Sequence, residues 1–261
     1  MGTHPLWIPD SAPPRAFPDV DVALLEPNGL LALGGDLSAQ RLLYAYAHGI
    51  FPWYSEEQPI LWWSPDPRMV LEPANLKVSR SLRKRIRSGH YQVTHDRCFE
   101  QVVLACAAPR AASSGTWILP EMCAAYVTLH DLGHAHSVEC WFGDELAGGL
   151  YGVAIGQVFF GESMFSRHTD ASKVALAHLC AAGYQLIDCQ LPSEHLASLG
   201  ADLAPRAQFC ARINDLCQQP GPAMPVAAPF DVAGNRQIPA PLAALPDSSG
   251  RHRSLPALRK D

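Results

Sequence analysis

Much is missing from this chain of 261 residues, and each absence closes off a class of protein. Its apolar stretches, such as Val102–Ala108, stop far short of the roughly 20 residues that a membrane helix needs. The opening MGTHPLWIPD has no basic n-region and no apolar h-region, so no secretory leader is expected. Leu6 stands where a myristoylation signal would place Ser or Thr. The cysteines at 98, 106, 123, 140, 180, 189, 210 and 217 contain no CxxC pair, which excludes a zinc ribbon or a thioredoxin motif. Most of them sit in apolar patterns, where free Cys behaves as a small buried hydrophobe, as expected of a cytoplasmic protein. A surplus of positive charge is missing too. Lys and Arg number 20 against 25 Asp and Glu, so any contact with nucleic acid must come from a local patch. What is present, 48% hydrophobic and 17% charged residues, is a globular composition with ample length for a core.

Three regions are expected. Residues 1–65 form a small N-terminal domain, rich in Pro and Gly, with one helix over AQRLLYAYAH. Asp36 or Ser38 caps that helix and Gly49 ends it. The stretch IFPWYSEEQPILWWSPDPR, with three Trp and four Pro, reads as a rigid aromatic loop and not a regular element. Residues 66–218 alternate strands and helices. The pattern predicts a strand near Met69–Leu71, a basic helix from Ser79 to Ser88, a strand at Tyr91–Thr94 and a helix capped by Asp96 that runs to Ala107. A helix from Pro120 to Leu132 comes next. Three strands then form an antiparallel meander: His136–Phe142, Ala147–Ile155 and Gln157–Phe165, with turns at Gly143-Asp144 and Gly156-Gln157. A helix at Ala171–Ala182, a strand at Tyr184–Cys189 and a helix at Arg206–Cys217 close the region. Residues 219–261 hold eight of the 23 prolines and few bulky apolar residues, so they are expected to be a disordered tail. The fold class is therefore α+β. The order of meander, helix and strand resembles the acetyltransferase-like (GNAT) core, a mixed sheet. The connection that holds the coenzyme A pyrophosphate in that fold reads SRHTDAS here and has no glycine.

Several constellations can carry chemistry. Between Lys77 and Arg87 lie Lys77, Arg80, Arg83, Lys84, Arg85 and Arg87, with no acid among them. A solvated helix face usually mixes signs, so the run points to phosphate contact. Trp53, Tyr54, Trp62, Trp63 and Trp117 fall on loops, as in a platform for stacking bases, although Trp62 and Trp63 fit a buried plug better. Glu162 interrupts the apolar strand FFGESMF, and Asp188 and Gln190 end the strand YQLIDCQ. Each has a structural reading as a buried hydrogen-bonding group and a functional one as a ligand at a strand end. Strict alternation puts Asp188 and Gln190 on one face and Cys189 on the other, against a thiol nucleophile with His195. His134 and His136 could share a strand face, but no third metal ligand stands at a fixed spacing, so no metal is expected.

The stretches EPNGLLALGGDLS, GIFPWY, ILWWSPDPR, GTWI, LGHAHSVE, GGLYGVAIG, FFGESMFSR, ASK and LIDCQ, in that order, resemble the leucyl/phenylalanyl-tRNA–protein transferases from about residue 25 to 205. The resemblance implies transfer of Leu or Phe, and Met less well, from aminoacyl-tRNA to the N-terminal Arg or Lys of acceptor proteins, which marks them for degradation by the bacterial N-end rule pathway. It implies a small N-terminal domain before an acetyltransferase-like domain. The ester is already activated, so no cofactor is needed. By the same resemblance Asp188 and Gln190 are the catalytic pair, the Gln190 oxygen receiving an amine proton while Asp188 orients and polarises the amide. Glu162 binds the acceptor terminus. Trp53 and Trp117 hold the terminal adenosine of the tRNA. Leu150, Phe159, Met164, Leu179 and Ile187 form the side-chain pocket. Lys77, Arg80, Arg83, Lys84 and Arg87 contact the tRNA backbone. The expected protein is a cytoplasmic monomer that binds no membrane. Two other classes fit the pattern less well: a coenzyme A acetyltransferase, which the connection without glycine opposes, and a non-catalytic adaptor for N-termini, which the acidic and amide residues oppose.

Overall fold

The computed structural model describes residues 4–108 and 118–222. The expected disordered tail lies almost wholly outside that range, as does Trp117. The first strands are β1 (Leu6–Ile8) and β2 (Leu30–Gly34), followed by α1 (Ala39–Ala47). Ser38 caps α1 by accepting the Arg41 N–H. Asp36 accepts the Ser38 N–H and pairs with the buried Arg41. Leu42, Ala45 and Tyr46 turn inward, and Gly49, at φ +77°, ends the helix against Cys210.

The segment expected to be a loop contains two strands, β3 (Phe51–Pro52) and β4 (Leu61–Trp63). With β1 and β2 they make a four-stranded sheet in the order β1-β2-β4-β3. Proline is tolerated because Pro52 lies on the edge strand, where no ladder N–H is required. Trp62 is the plug foreseen from composition. It is fully buried, and its indole N–H donates to the Gly34 carbonyl at 2.8 Å.

The second sheet has seven strands. They are β5 (Arg68–Leu71), β6 (Gln92–His95), β7 (Ala135–Phe142), β8 (Glu145–Ile155), β9 (Val158–Ser166), β10 (Leu186–Gln190) and β11 (Asp202–Ala204), in the order β11-β5-β10-β9-β8-β7-β6. The meander β7-β8-β9 forms as expected, with Gly143 and Gly156 at positive φ in its two turns. Within this sheet, among the described residues, only β9 and β10 pair in parallel. The helix between them, α5 (Ala171–Ala181), makes the crossover that a parallel pair requires. The other helices are α2 (Arg80–Arg87), α3 (Phe99–Ala107), α4 (Pro120–Asp131), α6 (Glu194–Ser198) and α7 (Arg206–Leu216). Asp96 does not cap α3. It accepts the Ser137 N–H and pairs with His136, and the cap position falls to Cys98.

Period-two alternation divides the core. Leu150, Phe159 and Ile187 face α2 and α5, whereas Tyr151, Phe160 and Leu186 face α3 and α4. The second of these cores also takes in Ile8, Tyr46 and Trp62, so the four-stranded sheet and the seven-stranded sheet share it. No helix among the described residues is long and apolar enough to cross a membrane.

Strands β8 and β9 slip register between Tyr151 and Gly152. A Cβ on Gly152 would stand 2.1 Å from the Phe160 carbonyl oxygen and 2.6 Å from the Phe159 ring. Gly152→Ala is therefore expected to cost about 3 kcal/mol of stability through overpacking. Gly161→Ala, whose Cβ would meet the Asp188 carbonyl at 3.2 Å, should cost distinctly less. Urea denaturation midpoints of the two variants, read against the parent, check the order.

Candidate active site

The seven-stranded sheet is interrupted where β10 ends. Its pairing with β5 shifts register between Asp188 and Gln190, and Gln190 adopts φ +62°. Asp188 stabilises that turn by accepting the Gln190 backbone N–H at 2.9 Å, an Asx-type turn. The expected division of faces survives the turn: the Asp188 and Gln190 side chains reach Arg68 and Glu162, while Cys189 packs with Ile187 in the core beside α5. Asp188, Cys189 and Gln190 all line one cavity of about 380 Å³.

Asp188 is fully buried, and its charge is matched by Arg68 at the start of β5. Arg68 Nε and Nη2 donate to the two carboxylate oxygens at 2.8 and 2.6 Å, and Nη1 donates to the Gly49 carbonyl at 3.3 Å. The guanidinium lies between the rings of Phe51 and Phe209, 4.6 and 4.9 Å from their centroids. Asp188 thus fixes the backbone at Gln190 and does not touch its side-chain amide. Arg68 was not singled out from the sequence. Its one signal there is a cation opening the apolar strand RMVL.

The Gln190 amide is oriented by Glu162 on β9. Gln190 Nε2 donates to Glu162 Oε1 at 2.7 Å. Two tyrosine hydroxyls reach the same carboxyl group, Tyr46 at Oε1 (2.7 Å) and Tyr126 at Oε2 (2.6 Å). Burial pushes the Glu162 carboxyl up to about 7. Hydrogen bonds donated to the ionised carboxylate oppose that rise, and the Asp188 charge adds to it. These tyrosines, on α1 and α4, carry no motif that marks them in sequence.

All five residues expected to form a side-chain pocket, Leu150, Phe159, Met164, Leu179 and Ile187, line this cavity together with Glu162. Leu176, one helical turn before Leu179 on α5, was missed although its spacing places it on the same face. Trp53 also lines the cavity. It is 40% exposed, and its ring tilts against Trp63 at 5.6 Å. The cavity can hold a medium-sized apolar group beside a carboxyl and an amide. Cys189 has no features of a nucleophile, because burial and the Asp188 charge push its thiol well up, opposite to an activated cysteine.

The basic helix lies outside the cavity. Ser79 caps α2, and Leu82 and Ile86 pack inward. Lys77, Arg80, Lys84 and Arg87 are exposed, and Arg83 is half-buried. Arg85 is neutralised by Asp170 at 3.2 Å. That acid lies in the β9–α5 connection, so the sequence run of cations is not wholly unrelieved. Among the described residues no group of three or more His, Cys, Asp or Glu could hold a metal ion. His136 instead bonds Asp96 at 2.7 Å.

Comparison with known proteins gives the site its context. Residues 70–214 match the family described as leucyl/phenylalanyl-tRNA protein transferase, and residues 35–66 match its N-terminal domain. The chain is 60% identical to the leucyl/phenylalanyl-tRNA–protein transferase of Nitrosomonas europaea, over 78% of this chain and 89% of that one. It is 56% identical to the transferase of that name from Chromobacterium violaceum, over 82% and 94%. Among solved structures, a GCN5-related N-acetyltransferase from Kribbella flavida matches with a TM-score of 0.31 and 14% identity over 63% of this chain and 59% of that one.

Removing one member of a buried ion pair strands the other, at a cost of about 3–5 kcal/mol. Asp188→Leu and Arg68→Met are each expected to lose stability on that scale. The double variant Arg68→Met/Asp188→Leu should recover much of it. Chemical denaturation of the four proteins gives the coupling energy, and additive losses would show that the two charges do not depend on each other.

Proposed function

The chain belongs to the leucyl/phenylalanyl-tRNA–protein transferase family of aminoacyltransferases, and from that premise we propose that it moves Leu or Phe, and Met less well, from aminoacyl-tRNA to the N-terminal Arg or Lys of acceptor proteins. The transfer marks them for degradation by the N-end rule pathway, in the cytoplasm, by a monomer. The observation that carries this reading is one cavity walled by Leu150, Phe159, Met164, Leu179 and Ile187, with Glu162, Asp188 and Gln190 in the same wall. The apolar part accepts the aminoacyl side chain. Glu162 draws in the cationic acceptor terminus. The terminal adenosine stacks on Trp53 and Trp117, and the phosphates run along Lys77, Arg80, Arg83, Lys84 and Arg87.

An aminoacyl ester needs no further activation, so the task of the protein is to bring amine and carbonyl together in a dry site. Gln190 suits positioning better than proton abstraction, since an amide is a very weak base. Its N–H is taken by Glu162, which leaves its oxygen to meet an N–H of the incoming amine. Asp188 and Arg68 hold the turn from which Gln190 projects. The protein has no evident need of coenzyme A, in keeping with a β9–α5 connection that has no glycine.

Two measurements test the proposal. In single-turnover transfer from Phe-tRNA to an Arg-terminated peptide, Gln190→Ala should cut the rate about 10²-fold or more while tRNA affinity barely changes. A near-normal rate would remove Gln190 from the reaction. Replacing the exposed Arg80, Lys84 and Arg87 with Ala should weaken tRNA binding and lower its salt slope by roughly 0.7–0.9 per lost phosphate contact. Amino-acid choice should stay unchanged, because phosphate contacts position without reading. An unaltered slope would take α2 out of the interface.

A further inference from the structure

The three oxygens around Glu162 touch one another, and their protons can be counted. Tyr46 Oη lies 2.7 Å from Glu162 Oε1, Tyr126 Oη lies 2.6 Å from Oε2, and the two hydroxyl oxygens are 2.7 Å apart. Each of these contacts needs a proton between its oxygens. Three contacts need three protons, and the tyrosines bring two. If Glu162 is ionised, one pair of oxygens faces with nothing between them. If it is protonated the ring closes: Glu162 donates to Tyr46, Tyr46 to Tyr126, and Tyr126 to the other Glu162 oxygen. Every hydroxyl then donates once and accepts once, and Gln190 Nε2 still has a lone pair on Oε1 to address.

The surroundings favour the closed ring. Tyr46, Tyr126 and Tyr151 are fully buried, and the Tyr151 hydroxyl on β8 has no hydrogen-bond partner among the described residues. Burial and the Glu162 charge both raise the Tyr46 and Tyr126 hydroxyls well above their ordinary range, so neither surrenders its proton. Asp188 on β10 adds negative charge, and Arg68 on β5 is committed to Asp188. Cys106 on α3 and Cys123 on α4 lie near Tyr151, and burial raises the Cys123 thiol.

We propose that this ring is the proton acceptor of the transfer: ionised Glu162, one proton short, takes a proton from the α-ammonium of the acceptor, closes the ring and frees the amine to attack. The assignment rests on the transferase reading above and adds Tyr46 and Tyr126 to it as positioning residues. In the step, an ammonium N–H bond breaks and a Glu162 O–H bond forms. The freed lone pair makes the C–N bond at the ester carbonyl, and the bond from carbonyl carbon to ribose oxygen breaks with its electron pair. A second amine proton ends on that ribose oxygen. Glu162 returns its proton to solvent after the product leaves, so each amide formed from an ammonium releases one proton. An α-amine titrates at about 7.7–8.0, and Glu162 at about 7 is nearly matched to it.

The test uses the full chain. Infrared difference spectra of the parent against Glu162→Gln should show a protonated carboxyl band that fades as the pH rises through about 7. The Gln variant can close the same ring with its amide, so it should fold and yet transfer about 10²-fold more slowly or worse. Its thermal stability should gain on the parent as the pH rises. The sign follows because a carboxyl raised in the folded state favours folding at low pH and loses that advantage through its folded midpoint. Tyr46→Phe and Tyr126→Phe break the ring. Both should move the band's midpoint down, and the pH profile of kcat/KM for an Arg-terminated peptide should move with it. Two tyrosines acting only as donors to a carboxylate would give the opposite shift. An upward or absent shift, or no carboxyl band on the acid side, overturns the proposal while leaving transfer itself intact. Absence of transfer from charged tRNA by the parent overturns the functional reading and the role of the ring together.

Discussion

The buried pair of Arg68 and Asp188 is the constraint on which the site depends. A carboxylate without solvent at the end of β10 is admissible only because a guanidinium meets both its oxygens. That guanidinium also takes the carbonyl that follows α1 and is sandwiched by Phe51 and Phe209. One side chain thus ties β5 to β10, to the end of the first helix and to the last helix. The left-handed turn at Gln190 is a consequence, since the carboxylate held by Arg68 is the group that accepts the Gln190 N–H.

The two carboxyl groups of the site are handled in opposite ways. Asp188 has a cation and serves geometry. Glu162 has no cationic partner among the described residues and is surrounded by hydroxyls and an amide, so burial lifts it to about 7. Two acids in one cavity wall, one paired and one raised, are the arrangement by which a protein separates holding from proton handling. The apolar walls contributed by Leu150, Phe159 and Ile187 serve both, because they keep water from competing with either set of hydrogen bonds.

Elements with a clear period were legible in the sequence. The helices α1, α2, α4, α5 and α7 and the meander fall within a few residues of their expected bounds, because caps, glycine stops and alternation are local signals. The strands β1, β3, β4 and β11 were not legible. Each has three residues or fewer, and pairing with distant partners makes them, not propensity. At the site the motifs pointed to Glu162, Asp188 and Gln190 and to the apolar lining, and the cavity gathers them. Their partners escaped notice for the same reason as the short strands. Arg68 is 120 positions from Asp188, and Tyr46 is 116 from Glu162, so no spacing rule connects them. The register shift and left-handed turn at Gln190 were also hidden, since no local motif in LIDCQ marks them.

The position of α1 bears on how the two sheets can be regarded. Tyr46 from this helix touches Glu162, and the Gly49 carbonyl just after it touches Arg68. Residues before the seven-stranded sheet therefore complete the surroundings of both buried acids. A division at residue 65 separates regions of sequence but not units of chemistry. The shorter piece could not be exchanged, shed or inherited apart from the longer one without altering the ionisation of a group it does not contain.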